Sequence, residues 1–124
     1  MQIDEILKEY KIRLIVFDNE LFPRDGAYFP PERTIFINNK LSKEERERLI
    51  LHELGHINHN PELYSRLLFK FENEAERFMI RELIKKYLKT HDVIDFNWLK
   101  FAETNKISST WGQQMILEEF KKLI

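Results

Sequence analysis

The order in which hydrophobic patterns appear along the chain restricts its fold most. Short β-branched runs come early. "IRLIVFD" at 12–18 is bounded by turn residues, and "AYF" and "TIFIN" are separated by "PPER", where Pro31 presets the first central position of a turn and cannot donate to a central ladder. These stretches predict one strand and then a hairpin with an open edge. Helical patterns surround and follow them. Ile3, Ile6, Leu7 and Tyr10 recur at helical spacing ahead of the first strand, and "LSKEERERL" opens a long helix with Ser42 as N-cap and Glu45 completing the capping box. Asn60 and Pro61 are expected to close that helix. From about Ser65 to Lys89, Leu68, Phe71, Ala75, Phe78, Met79 and Leu83 return at helical intervals, and 95–124 reads as two shorter helices around "TNKISST". The pattern predicts an α+β fold, in which a small antiparallel or mixed sheet of about three strands packs on the first long helix and the one after it, with helices at the carboxyl end.

Composition limits the chemistry. The 124 residues, with three Gly and four Pro, fit a single domain over 1–124, without repeats, linkers or low-complexity tracts. A net charge of −1 gives no electrostatic case for nucleic acid or a membrane surface. With no cysteine, thiolate metal sites and disulfides are excluded, so a bound metal would rely on His and carboxylates. The amino terminus lacks an apolar signal segment, and no apolar run approaches the roughly 18 residues of a membrane span. A soluble, cytoplasmic protein is expected.

Three of the four histidines fall within "ERLILHELGHINHN", residues 47–60. On a helix, His52 and His56 project from one face, close enough for two imidazoles to hold one ion. Glu53 sits about 100° around, where it can reach a water on the metal without being a ligand. This is the H-E-x-x-H arrangement: a zinc ion acidifies water and polarises a carbonyl, while the glutamate accepts the proton. Gly55 costs roughly 1 kcal/mol of helix propensity against Ala, which implies that space beside the site is wanted.

A third ligand has to complete the set. A metzincin would continue with glycine at position 59 and histidine at position 62, but His59 and Glu62 stand there, so that class is rejected. The other common solution is a glutamate from the next helix. Two antiparallel helices reversing near residue 64 bring together positions whose numbers sum to about 128, which pairs His56 with Glu72 and His52 with Glu76. Glu72 is thus expected as third ligand and Glu76 as the acceptor that orients the His52 ring through its other nitrogen; Glu74 falls on the opposite side of the helix.

These residues resemble the ImmA/IrrE family of zinc metallopeptidases. The resemblance rests on "GAYFPPERTIFINNKLSKEERERLILHELGHINH" followed by "ENEAERF", and covers residues 12–90, with 91–124 only loosely similar to the family's variable carboxyl-terminal part. It implies a zincin-like core at 12–90 and a helical part at 91–124, one Zn2+ per chain on His52, His56 and Glu72, and Glu53 as general base. Glu76 stands where the family usually has Asp or Asn. The resemblance further implies an intracellular endopeptidase of phage or mobile-element type, whose partner is a helix-turn-helix repressor. An extended segment of that partner is expected to pair with the hairpin edge near residues 26–38.

Other residues carry two readings. His59, one turn beyond His56, is either a contact for substrate or a developing oxyanion, or a solvated helix-end histidine; the second is preferred. Tyr64 either donates to an oxyanion or packs at the reversal, and packing is preferred. Trp98, Phe101 and Trp111 form either a substrate-facing patch or part of a core. Two other functions stand beside the peptidase. One is a non-catalytic zinc-containing adaptor that sequesters a repressor. The other is a small DNA-binding regulator built on "LKFAETNKISSTWGQQMILEEF", which two Lys against three Glu make a poor fit to phosphate contacts.

Overall fold

A computed structural model describes residues 3–21, 23–63 and 66–124. The chain forms two compact units, Met1–Glu53 and Leu54–Ile124.

In the first unit a seven-residue helix, α1 (Ile3–Glu9), precedes strand β1 (Arg13–Phe17), and β2 (Gly26–Phe29) and β3 (Thr34–Asn38) follow. The sheet order is β1-β3-β2, with β3 parallel to β1 and antiparallel to β2. "TIFIN" takes the centre because it is almost continuously apolar: Ile35 and Ile37 have no exposed surface, and Thr34 and Asn38 are buried with them. The alternating burial of β1 and β2 suits edge strands. Of the stretch 26–38 expected to offer an edge, only β2 does so, since β3 is paired on both sides.

The hairpin turns through a 3-10 segment, Pro30–Glu32, closed by Arg33 in the left-handed region at φ 47°. Pro31 sits inside this turn, as its fixed φ favours. The Arg33 guanidinium donates to the carbonyls of Tyr10 and Lys11, and its own carbonyl accepts from Arg13 N at 2.9 Å, which ties the end of α1 to the hairpin. At the other end of β3, buried Asn38 donates through Nδ2 to Asn19 Oδ1 (2.9 Å) and to the Arg24 carbonyl (2.8 Å). Its Oδ1 accepts from Lys40 N at 2.9 Å. These bonds fix the turn from which the next helix, α2 (Lys43–Leu54), departs.

The second unit is helical: α3 (Leu68–Leu88), α4 (Trp98–Thr104) and α5 (Ser109–Leu123), with α5 packed on both others. The predicted start of α3 at Ser65 lies outside the described residues. α3 buries Phe71, Ala75, Met79, Ile80, Leu83 and Ile84, as its helical period requires. Asn97 caps α4 by accepting from Leu99 N and Lys100 N, and Ser108 caps α5 by accepting from Thr110 N. The aromatic cluster is Phe96 stacked on Phe120 at 4.2 Å, with Tyr87 and Phe101 each 5.5 Å from Phe96. Phe101 is buried, but Trp111 remains 47% exposed.

One acidic residue on α5 is fully buried. Glu119 accepts from Arg81 (2.7 Å), Arg77 (3.2 Å) and Lys122 (3.1 Å), so α3 and α5 are joined by charge as well as by apolar packing. Burial pushes its carboxyl up, but the hydrogen bonds and charges of these cations together hold it below the ordinary glutamate range. A depressed native pKa contributes stability that is present above the unfolded value and is lost as pH falls through the native one. Glu119→Gln is therefore expected to cost about 1.5–3 kcal/mol at neutral pH. The gap to the parent should close in thermal melts as pH drops below the ordinary carboxylate range; a pH-independent gap would refute the charge account. Among the described residues, no helix is long and apolar enough to cross a membrane.

Candidate metal centre

The first histidine is placed by local chemistry. Ser42 Oγ accepts from Glu45 N and Glu45 Oε1 accepts from Ser42 N, both at 3.2 Å, which forms the expected capping box. Arg46 reinforces this start by donating to the carbonyls of Leu41 (3.1 Å) and Asn39 (3.0 Å). With its beginning pinned, α2 carries His52 and Glu53 in its last turn.

The predicted continuation of α2 to Asn60 is not observed. The helix ends at Leu54, and 55–58 form tight turns, with Ile57 N donating to the Leu54 carbonyl and His59 N to that of His56. Gly55 stands at this break and faces α3 at close range. A Cβ there would lie 2.5 Å from Ala75 Cα and 2.9 Å from the Ala75 carbonyl oxygen, so two main chains touch where only glycine fits. The space that Gly55 provides is thus filled by α3. Gly55→Ala is expected to cost roughly 1–3 kcal/mol, because buried main chain must shift to admit the methyl group. Urea unfolding measures it, and an unchanged midpoint would disprove the close approach.

That approach sets Glu72 beside His56. Glu72 Oε1 lies 3.4 Å from His56 Nε2, whose side chain is only 10% exposed. His52, His56 and Glu72 each offer one ligand atom, and the three atoms lie within 4.8 Å of one another. Two ligands about 2.1 Å from a tetrahedral zinc sit about 3.4 Å apart, so the His56–Glu72 separation is already that of a coordination edge. Two imidazoles and one carboxylate also match the donor set of a catalytic zinc with an open position. The residues fit the ion.

The remaining expected residues fall as follows. Glu53 and Glu76 are both partly exposed, on α2 and α3 respectively. Tyr64 lies outside the described residues. His59 is not a solvated helix-end residue: its side chain is 10% exposed, and its ring stacks on Phe71 with centroids 4.0 Å apart and planes 9° from parallel. Both of its nitrogens face protein partners, Nδ1 at 3.0 Å from His56 Nδ1 and Nε2 at 2.6 Å from Glu74 Oε2. Glu74, which helical spacing puts on the far side of α3 from Glu72, is therefore engaged after all. The reason is the early end of α2: the segment after Gly55 leaves the helical path, and His59 meets the Phe71 and Glu74 pair, which are i,i+3 neighbours on α3. No spacing in the sequence singles out this pair, since Phe69 and Glu72 stand at the same interval.

No curated protein and no solved structure matches the chain. A family model described as Peptidase M78, IrrE N-terminal-like domain, matches residues 7–109. The match spans the sheet, the H-E-x-x-H segment, α3 and α4, more than half of the chain, and the chain therefore belongs to the IrrE N-terminal-like family of M78 peptidases.

Proposed function

We propose that this chain is a zinc-dependent endopeptidase that cuts a peptide bond in an intracellular protein, namely a helix-turn-helix repressor of a phage or mobile element. The observation that carries the reading is the grouping of His52, His56 and Glu72, with Glu53 next to His52 in the sequence. A zinc ion bound by those three side chains supplies Lewis acidity, which acidifies a water and polarises the peptide carbonyl. Glu53 takes the proton of the attacking water on a carboxylate oxygen and returns it to the leaving nitrogen, so that the nitrogen departs as an amine and not as an amide anion. Glu76 is assigned to accept from the ring nitrogen of His52 that faces away from the ion.

Substrate docking is assigned to β2. Its open edge offers backbone groups to an extended segment, which bonds without regard to sequence. Selectivity then requires side-chain contacts, and an apolar hollow of about 240 Å³ lined by Phe17, Leu21, Gly26, Ala27 and Phe36 adjoins this strand. An apolar side chain of the docked segment suits it.

The test combines metal analysis of the purified chain with incubation beside a helix-turn-helix repressor encoded next to it. Fragments that appear with zinc and vanish with a chelator support the reading. An intact repressor held in a stable complex would overturn it in favour of a non-catalytic adaptor.

A further inference from the structure

A carboxylate, a histidine and a second histidine form a hydrogen-bonded line that ends at the metal site. Glu74 Oε2 lies 2.6 Å from His59 Nε2, His59 Nδ1 lies 3.0 Å from His56 Nδ1, and His56 Nε2 faces Glu72. All four side chains belong to the second compact unit.

The polarity of this line follows from what each atom can do. An ionised carboxylate only accepts, so His59 Nε2 must carry the hydrogen that spans 2.6 Å. In a neutral His59, Nδ1 is then a bare acceptor. At 3.0 Å it is satisfied only if His56 carries its own hydrogen on Nδ1. A neutral His56 protonated on Nδ1 has its lone pair on Nε2, the atom that faces Glu72. The opposite tautomers would set the bare Nε2 of His59 against the Glu74 carboxylate at 2.6 Å, a closer clash of lone pairs than that of His56 Nε2 with Glu72 at 3.4 Å, which a shared cation relieves. Phe71, buried and stacked on His59, holds the ring plane that makes both bonds possible.

We infer that His59 and Glu74 are positioning residues, which hold His56 as the Nδ1-protonated tautomer and aim its Nε2 at the metal. This rests on the proposed zinc site, but the tautomer itself is a property of the metal-free protein. Glu74 is 47% exposed and reaches His56 only through His59, so its share should be smaller.

The test uses the full chain and three variants. His59→Phe keeps an aromatic ring against Phe71 but removes the acceptor, and Glu74→Ala removes the anchor from a partly exposed position. Two quantities are read: the His56 tautomer in the metal-free protein, from two-bond nitrogen–proton NMR correlations at alkaline pH, and zinc affinity, from competition with a chromogenic chelator. The parent should show His56 protonated on Nδ1. His59→Phe should shift it toward the Nε2-protonated form and weaken zinc binding about 10–100-fold, with Glu74→Ala nearer tenfold. His59→Gln, which restores an acceptor oxygen, should recover part of the affinity. If the parent binds zinc and all variants bind it equally with an unchanged tautomer, the positioning role is overturned while the peptidase reading stands. If the parent binds no zinc, the peptidase reading fails, and the tautomer measurement still decides whether the line orders His56.

Discussion

Glu53→Gln is expected to lower peptide hydrolysis by about a thousandfold, within the roughly 10²–10⁴ that a positioned general base contributes. A thousandfold loss is about 4 kcal/mol of transition-state stabilisation. The amide keeps the shape and polarity of the side chain but cannot take a proton, so the defect lies in proton transfer and not in folding. Zinc content and thermal stability should stay at the parent's values, since Glu53 is not among the three grouped ligand residues. Single-turnover cleavage followed by mass spectrometry, with metal analysis on the same samples, checks this. Retained cleavage in Glu53→Gln would remove the assigned base.

Glu72→Ala has the second large effect, on the metal itself. It deletes the only carboxylate of the ligand group and leaves the two imidazoles, so zinc affinity should fall by more than the 10–100-fold typical of outer partners. The consequence is visible without any substrate. A ligand that binds only the folded state stabilises it by about 2.7 kcal/mol at a hundredfold excess over Kd, a shift of order 10 °C for a domain of this size. The parent should show that rise in a zinc thermal-shift titration and Glu72→Ala should not. A variant that melts upward with zinc as the parent does would show that Glu72 is not a ligand. Because Glu72 is 38% exposed, the metal-free variant should fold as the parent does.

These two residues were legible for different reasons. Glu53 is read from spacing alone, since one residue after His52 on a helix is a fixed angle. Glu72 required the assumption that two helices run antiparallel across a short reversal, and its 3.4 Å approach to His56 agrees with that arithmetic. Glu74 does lie away from Glu72 on the same helical wheel, but the wheel of α3 says nothing about where the chain goes after Gly55, and so nothing about its partner. Its partner His59 lies fifteen residues away, in a segment that is not helical. Glu119 shows the same limit: in sequence it is one more charge on a surface helix, and only the packing of α5 on α3 surrounds it with Arg77 and Arg81.

Sequence by itself determined the features whose physics is local. The capping box of Ser42 and Glu45, the turn at Pro31 and the helical period of α3 all arise between residues a few positions apart, whereas His56 lies in the turns beyond α2 and not on the helix face that its spacing from His52 predicts. The tertiary structure decided what depends on contacts between distant segments. It made β3 the central strand, parallel to β1, and it ended α2 at Leu54, where the main chain at Gly55 meets Ala75. It also drew His59 and Glu74 into line behind His56. Local hydrogen bonds and side-chain periods are written in neighbouring residues, whereas a close approach of two backbones is set by the shapes of both.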